Sequence, residues 1–193
     1  MSAVWGGFRR LADFRGRDRR GRFWPYALVV AVLLYVGMAT AMIPTMSGVF
    51  EEAARYAAEN PEQVTVTAGP GHYSVQIHDP EAQLMPDMSG LFWAVRMVFV
   101  AAGVLLAAAV TRRLHDTGRA GWWGLPPLLF AAIASILFPT VMEQMMQSEE
   151  VAVAPFLLLL ANNMLYLASL IGLIVLLCLK GASGPNRYGP EPG

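Results

Sequence analysis

The chain has 193 residues, 55% of them hydrophobic and only 15% charged, with 14 basic side chains balancing 14 acidic ones. Its mean hydropathy of +0.45 argues against an ordinary soluble domain, and its neutral balance argues against a folded basic domain for nucleic acid. A lone cysteine, Cys178, excludes a disulfide within the chain.

The apolar residues gather in four runs, at 25–43, 91–110, 125–141 and 151–179. Crossing a hydrocarbon core of about 30 Å takes roughly 20 apolar residues, and all four runs reach that class. With no water at that depth, each run must satisfy its own backbone hydrogen bonds, so each is a helix. Four long buried helices in a soluble protein would each keep a polar face, and these runs have none. The expected fold class is an all-α integral membrane protein with four transmembrane helices at 25–43, 91–110, 125–141 and 156–179. Residues 1–193 form a single membrane domain.

Charge orients it. Arg9, Arg10, Arg15, Arg17, Arg19, Arg20 and Arg22 precede the first run, opposed only by Asp13 and Asp18. Arg112, Arg113 and Arg119 sit between runs two and three, and Lys180 and Arg187 follow run four. The link at 45–90 is acidic apart from Arg55, and the third link holds Glu143, Glu149 and Glu150 without a base. Because short cytoplasmic loops are enriched in Lys and Arg, both termini and the central link are expected in the cytoplasm, with the other two links outside.

The basic arm at 1–22 places Trp5, Phe8, Leu11 and Ala12 on one helical face, suited to an anionic membrane surface, although topology alone already calls for its arginines. Ala39-Thr40-Ala41 has the form of a signal-peptide cleavage site, but the run is long enough to be retained as a span. The extracytoplasmic loop at 45–90 reads as a short helix over 50–60 stopped by Pro61, followed by a hairpin. Gln63 to Thr67 alternates, Ala68-Gly69-Pro70-Gly71 turns, and His72 to Ile77 alternates again. His72 and His78 flank that hairpin, and two histidines without fixed geometry do not amount to a metal site.

Arg96 lies near the outer end of span two, where it is expected to snorkel or to join Glu143, Asn162 and Asn163 in a polar cluster. Span three begins with Trp122-Trp123 and Pro126-Pro127, and Pro139 is expected to mark its outer end. In span four, Ala161, Ala168 and Gly172 are spaced for close helix packing beside a polar stripe of Asn162, Tyr166 and Ser169 expected to hydrogen-bond between helices, with Cys178 expected as a small packing residue.

The densest chemistry is Thr111-Arg112-Arg113-Leu114-His115-Asp116-Thr117-Gly118-Arg119-Ala120-Gly121-Trp122-Trp123. Its glycines and Asp116 supply turn chemistry, and its arginines hold the inner end of span two. His115 beside Asp116 suggests an acid–base pair, yet no second histidine or serine completes a triad, and a zinc site would need Cys178. Arginines around a tight turn suit phosphate better, and phosphate is abundant at the inner leaflet.

This motif, with Arg20-Gly21-Arg22-Phe23-Trp24 before it and Gly184-Pro185-Asn186-Arg187-Tyr188-Gly189-Pro190 in the tail at 180–193, resembles the bacterial inner-membrane family of unknown function called DUF805. The chain departs from it in Ala120, where serine is frequent, and in the long outer link. The resemblance implies a small polytopic inner-membrane protein and brings no catalytic residue or cofactor with it. Because all three stretches fall at the cytoplasmic face, the tail is expected to fold back against the His115-Asp116 turn.

The function expected from the residues is non-enzymatic: a membrane component whose cytoplasmic face binds anionic lipid or a partner protein. The candidate residues are Arg112, Arg113, His115, Asp116, Arg119, Trp122, Asn186, Arg187 and Tyr188. The rival reading is a small membrane enzyme or transporter using His115 and Asp116. No metal, cofactor or nucleic acid is called for.

Overall fold

A computed structural model describes residues 3–69, 72–77, 89–147 and 153–192. In chain order it contains α1 (Ala3–Arg9), α2 (Arg20–Glu59), β1 (Val64–Gly69), β2 (His72–Ile77), α3 (Ser89–Asp116), α4 (Leu125–Gln147) and α5 (Val153–Cys178). Four helices, α2 to α5, are long and apolar enough to cross a membrane, and no more than 17% of any apolar window is buried inside the chain. Large hydrophobic residues such as Leu28, Tyr35 and Ile136 stand more than half exposed. A soluble protein hides such residues, whereas a helix bundle in lipid turns them outward. The chain is a multi-pass membrane protein.

Two compact units divide it, Met1–Gly37 with Val95–Gly193, and Met38–Ala94. In the second, α2 runs on without the break expected after residue 43, and the short helix expected at 50–60 is its last part. Pro44 removes one backbone hydrogen bond, but the Ala- and Glu-rich stretch beyond it, with Glu52 and Arg55 3.9 Å apart one turn on, favours continued helix. The Asn60 amide then donates to the Tyr56 carbonyl, and a short 3-10 turn at Pro61–Gln63 leads to the strands. β1 and β2 pair antiparallel, with Val64 opposite Ile77 and Gly69 opposite His72. Residues 70–71, and His78 with its expected role, lie outside the described residues.

In the first unit the buried apolar residues cluster where α2, α3 and α5 come together near the α3 C-terminus. Phe23, Tyr26 and Val30 of α2 meet Ala109 and Leu114 of α3 and Leu177 of α5. The Tyr26 hydroxyl donates to the Leu105 carbonyl at 2.6 Å, and the edge of Phe8, from α1, packs on the Tyr26 ring. The amino-terminal arm is therefore folded onto the bundle: Phe8 and Leu11 pack against its core.

Three expectations change in α4 and α5. Pro139 does not end α4, which continues to Gln147. A proline at 139 leaves the carbonyl of residue 135 without its helical N–H partner. That carbonyl, on Ser135, accepts a hydrogen bond from the Arg96 guanidinium at 3.0 Å. Ala161, Ala168 and Gly172 face outward on α5, while Asn162 is buried and donates to the Phe130 carbonyl of α4 at 3.0 Å. A hydrogen bond to a neighbouring helix, unavailable from lipid, fixes which stripe turns inward. Cys178 is likewise exposed, because Leu177 takes the inward position at that turn.

Candidate functional site: a buried arginine–aspartate clasp

α3 closes in a glycine cap. Gly118 has φ +76°, its amide donates to the His115 carbonyl, and the Arg119 amide donates to the Leu114 carbonyl. This is the Schellman arrangement, which needs a left-handed residue at the position glycine holds. It leaves Arg112, Arg113 and Asp116 pointing into the bundle end, with side chains 0–5% exposed.

Arg112 reaches the amino-terminal arm. Its Nε donates to Asp18 Oδ2 at 2.7 Å, and its Nη1 donates to the carbonyls of Arg10, at 2.9 Å, and Asp13. The Asp18 amide returns a bond to the Arg112 carbonyl at 3.2 Å. Asp18 also accepts from Arg10 at 2.8 Å and has Arg22 at 3.7 Å. Burial pushes the Asp18 carboxyl upward, but the hydrogen bonds and charges of Arg112 and Arg10 outweigh it and hold the group below its ordinary value of 3.8.

Arg113 points toward the end of α5. Its guanidinium donates to the carbonyls of Leu177, at 2.9 Å, and Leu179, and it is ion-paired with Asp116. The last carbonyls of a helix have no intrahelical partner and carry the negative end of its dipole, so a buried cation is stabilised there. Asp116 is shared with Arg17 of the arm, at 3.1 Å. The remaining Arg17 donors reach the carbonyls of Gly184, at 2.7 Å, and Ala182, at 2.6 Å, in the tail. The Ala182 amide closes this circuit on the Asp116 carbonyl at 2.8 Å. Only glycine fits at 181, where a Cβ would stand 2.3 Å from Asp116 Oδ2.

The tail folds back on the turn as expected. Asn186 donates from its side-chain amide to the His115 carbonyl at 3.0 Å. The Tyr188 ring stacks on the His115 ring, centroids 3.7 Å apart and planes 7° from parallel, and the Arg187 guanidinium lies 4.7 Å from the centroid of the same tyrosine. The His115 Nδ1 sits 3.2 Å from the Gly16 carbonyl. An acid–base dyad would need Asp116 to orient His115, whereas the Asp116 carboxylate lies against Arg17 and Arg113. Successive residues on a helix point about 100° apart, which is why sequence adjacency did not produce the pair.

Of the residues singled out in the sequence, Arg112, Arg113, His115, Asp116, Asn186, Arg187 and Tyr188 therefore gather at one end of the bundle. Arg119 stays on its own turn, donating to the Thr117 carbonyl at 3.4 Å. Trp122 stacks on Trp123 at 4.7 Å and lies on the outer surface. The sequence reading missed Arg17 and Asp18. A signal existed: an acidic residue kept within an arm whose basic character sets topology is itself a sign of an internal partner. Arg112 and Arg113, expected to meet phosphate, are sealed in the protein with carboxylate and carbonyl partners, and a headgroup would have to displace these.

A different set of cations faces outward. A cleft of about 400 Å³ opens onto the clasp: Arg17, Arg113 and Asp116 form part of its wall, and Arg19, Arg20, Lys180 and Glu191 line the rest of its charged surface. The side chains of Arg19 and Lys180 are exposed and engage no protein group among the described residues. Arg20 makes one long bond, 3.4 Å, to the Cys178 carbonyl, and Glu191 accepts from the Gly184 amide at 2.9 Å. No group of three or more His, Cys, Asp or Glu residues placed to hold a metal occurs among the described residues.

A family model described as "Protein of unknown function (DUF805)" matches residues 11–190, a stretch that takes in the clasp residues from Arg17 to Tyr188 but not Arg10. No curated protein and no solved structure matches the chain.

Proposed function

The chain belongs to the DUF805 family, and from that premise we propose that it is a non-enzymatic component of a bacterial inner membrane, with both termini in the cytoplasm, whose clasp end binds anionic lipid headgroups. The observation carrying this reading is the division of labour among the bases. Those buried in the clasp are neutralised by Asp18, Asp116 and carbonyls, while Arg19, Arg20 and Lys180 line an open cleft with their charges available.

The orientation rests on the same bases. Positive charge is retained on the cytoplasmic side, and the clasp end carries the arm, the central turn and the tail together. A cleft there lies at the level of inner-leaflet phosphates, where each nearby base contributes about 1 kcal/mol. Headgroup binding at Arg112 is replaced in this reading by binding at the cleft, to whose wall Arg113 contributes while paired with Asp116.

Native mass spectrometry of the protein released from membranes tests it. One retained anionic lipid, the cleft's, should be lost in Arg19→Ala/Arg20→Ala/Lys180→Ala at unchanged helix content, and its binding should weaken as salt is raised. Retention of a protein instead of a lipid would make the face a protein-docking surface. Undiminished lipid in the triple variant would overturn the assignment to the cleft. For orientation, Ser183→Cys in a Cys178→Ser background should react with an impermeant maleimide only after the cells are opened.

A further inference from the structure

A second cavity of about 510 Å³ lies on the other chemistry of this unit. It runs along α3, past Phe99, Gly103, Leu106 and Val110, and is walled by α4 and α5. Its lining is apolar save for Thr111 and Tyr166. The α3 positions recur at three- and four-residue intervals, so they form one continuous helix face. Gly103 and its small neighbours hollow that face, since a Cβ at 103 would reach only Leu128, at 3.9 Å.

From the structure we infer that this groove holds one acyl chain of an anionic phospholipid from the clasp-side leaflet. Four observations select that occupant. The groove offers too few polar partners to keep water, each molecule of which needs about two to four, and an unfilled void of that size forfeits packing along its walls. From Phe99 to Thr111 is a rise of about 18 Å at 1.5 Å per residue, close to one leaflet's share of a hydrocarbon core of about 30 Å. The far end is strapped, one turn beyond Phe99, where Arg96 donates across to the Ser135 carbonyl at 3.0 Å. Phe14, Gly121 and Trp122 line the near end. Bases adjoin those residues in the chain: Arg15 follows Phe14 and is exposed, and Arg119 precedes Gly121 by two positions. In this assignment the phosphate of a chain entering from the membrane is met by these two guanidiniums, a charge match that a neutral lipid lacks.

The site is separate from the basic cleft and does not depend on it. The experiment reads lipid retained by the purified protein in native mass spectra after delipidation and addition of phosphatidylglycerol or phosphatidylcholine of the same chain length. Wild type should hold one phosphatidylglycerol in the groove besides any at the cleft, with phosphatidylcholine bound in the groove about tenfold more weakly. Gly103→Leu/Ala107→Leu, which fills the groove, should lose that lipid, whereas Arg19→Ala/Arg20→Ala/Lys180→Ala should keep it. Arg15→Ala/Arg119→Ala should bind both lipids alike. Equal retention by the filled variant overturns the inference, as does a filled variant that instead converts a dimer to a monomer, since a second copy would then be the occupant. Ala107→Cys in a Cys178→Ser background avoids bulky substitutions. Its reaction with an apolar maleimide should be slowed by added phosphatidylglycerol, and rates indifferent to lipid also overturn the inference.

Discussion

Asp18 and Arg112 lie 2.7 Å apart with side chains 4% and 1% exposed, and they join the amino-terminal arm to the end of α3. Removing one member of a buried pair leaves the other as an uncompensated charge, typically at a cost of about 3–5 kcal/mol. Asp18→Asn should therefore lower the unfolding temperature in detergent markedly, while Asp13→Asn, whose exposed side chain serves only its own loop, should not. The pH dependence follows from the direction of the shift. Asp18 is held below its ordinary 3.8 when folded, so its contribution is fully present above the unfolded value and disappears as pH falls through the folded one. Wild type should lose its advantage over Asp18→Asn below about pH 3.8 and keep it at neutral pH. A constant difference across that range would show that the pair is not coupled to folding.

Arg96 offers a second test, because its acceptor is a carbonyl that Pro139 sets free. Alone, Arg96→Met should destabilise the protein by about 1.5–3 kcal/mol, the range for a hydrogen bond from a charged donor. Pro139→Ala restores an amide to the Ser135 carbonyl, so in that background the same substitution should cost clearly less. Thermal unfolding of the two singles and the double measures the coupling. Strict additivity would mean that Arg96 acts through its other contacts and not through this carbonyl.

What was legible in the sequence was whatever hydropathy alone decides. The four spanning helices follow from runs such as 91–110, where Arg96 is the one charged residue among apolar ones. The antiparallel strand pair was legible too, as alternation over 63–67 and 72–77. Where the reading stopped short, a local signal was outvoted by its surroundings. Pro139 reads as a helix end, yet the freed Ser135 carbonyl finds Arg96 on another helix. Arg112 and Arg113 read as solvated topology signals, because their partners Asp18 and the Leu177 carbonyl are brought to them only by folding. On α5 the interhelical hydrogen bond expected of the polar stripe forms at Asn162, whereas the small residues Ala161, Ala168 and Gly172 that marked a possible contact face are exposed.

The return of the tail onto His115 was anticipated from the motifs sharing one face, and its energetics can be taken apart. The ring stack is worth about 0.5–1.5 kcal/mol beyond area burial, and Asn186 bonds to the His115 carbonyl, which survives any change of side chain. His115→Ala and Tyr188→Ala should each speed tryptic cleavage after Arg187 by roughly two- to tenfold. The double variant should fall well short of the product of the singles, since both remove the same stack and differ only in the Gly16 contact of His115 and the Arg187 contact of Tyr188. Asn186→Ala should add to them, because it breaks an independent bond. Gly181→Ala should exceed all three by driving a methyl group into the Asp116 carboxylate, loosening the Arg17 and Arg113 pairs along with the tail. Limited proteolysis in detergent ranks the five variants directly. If Gly181→Ala were as resistant as wild type, the tail would be held by the tyrosine stack and not by the clasp.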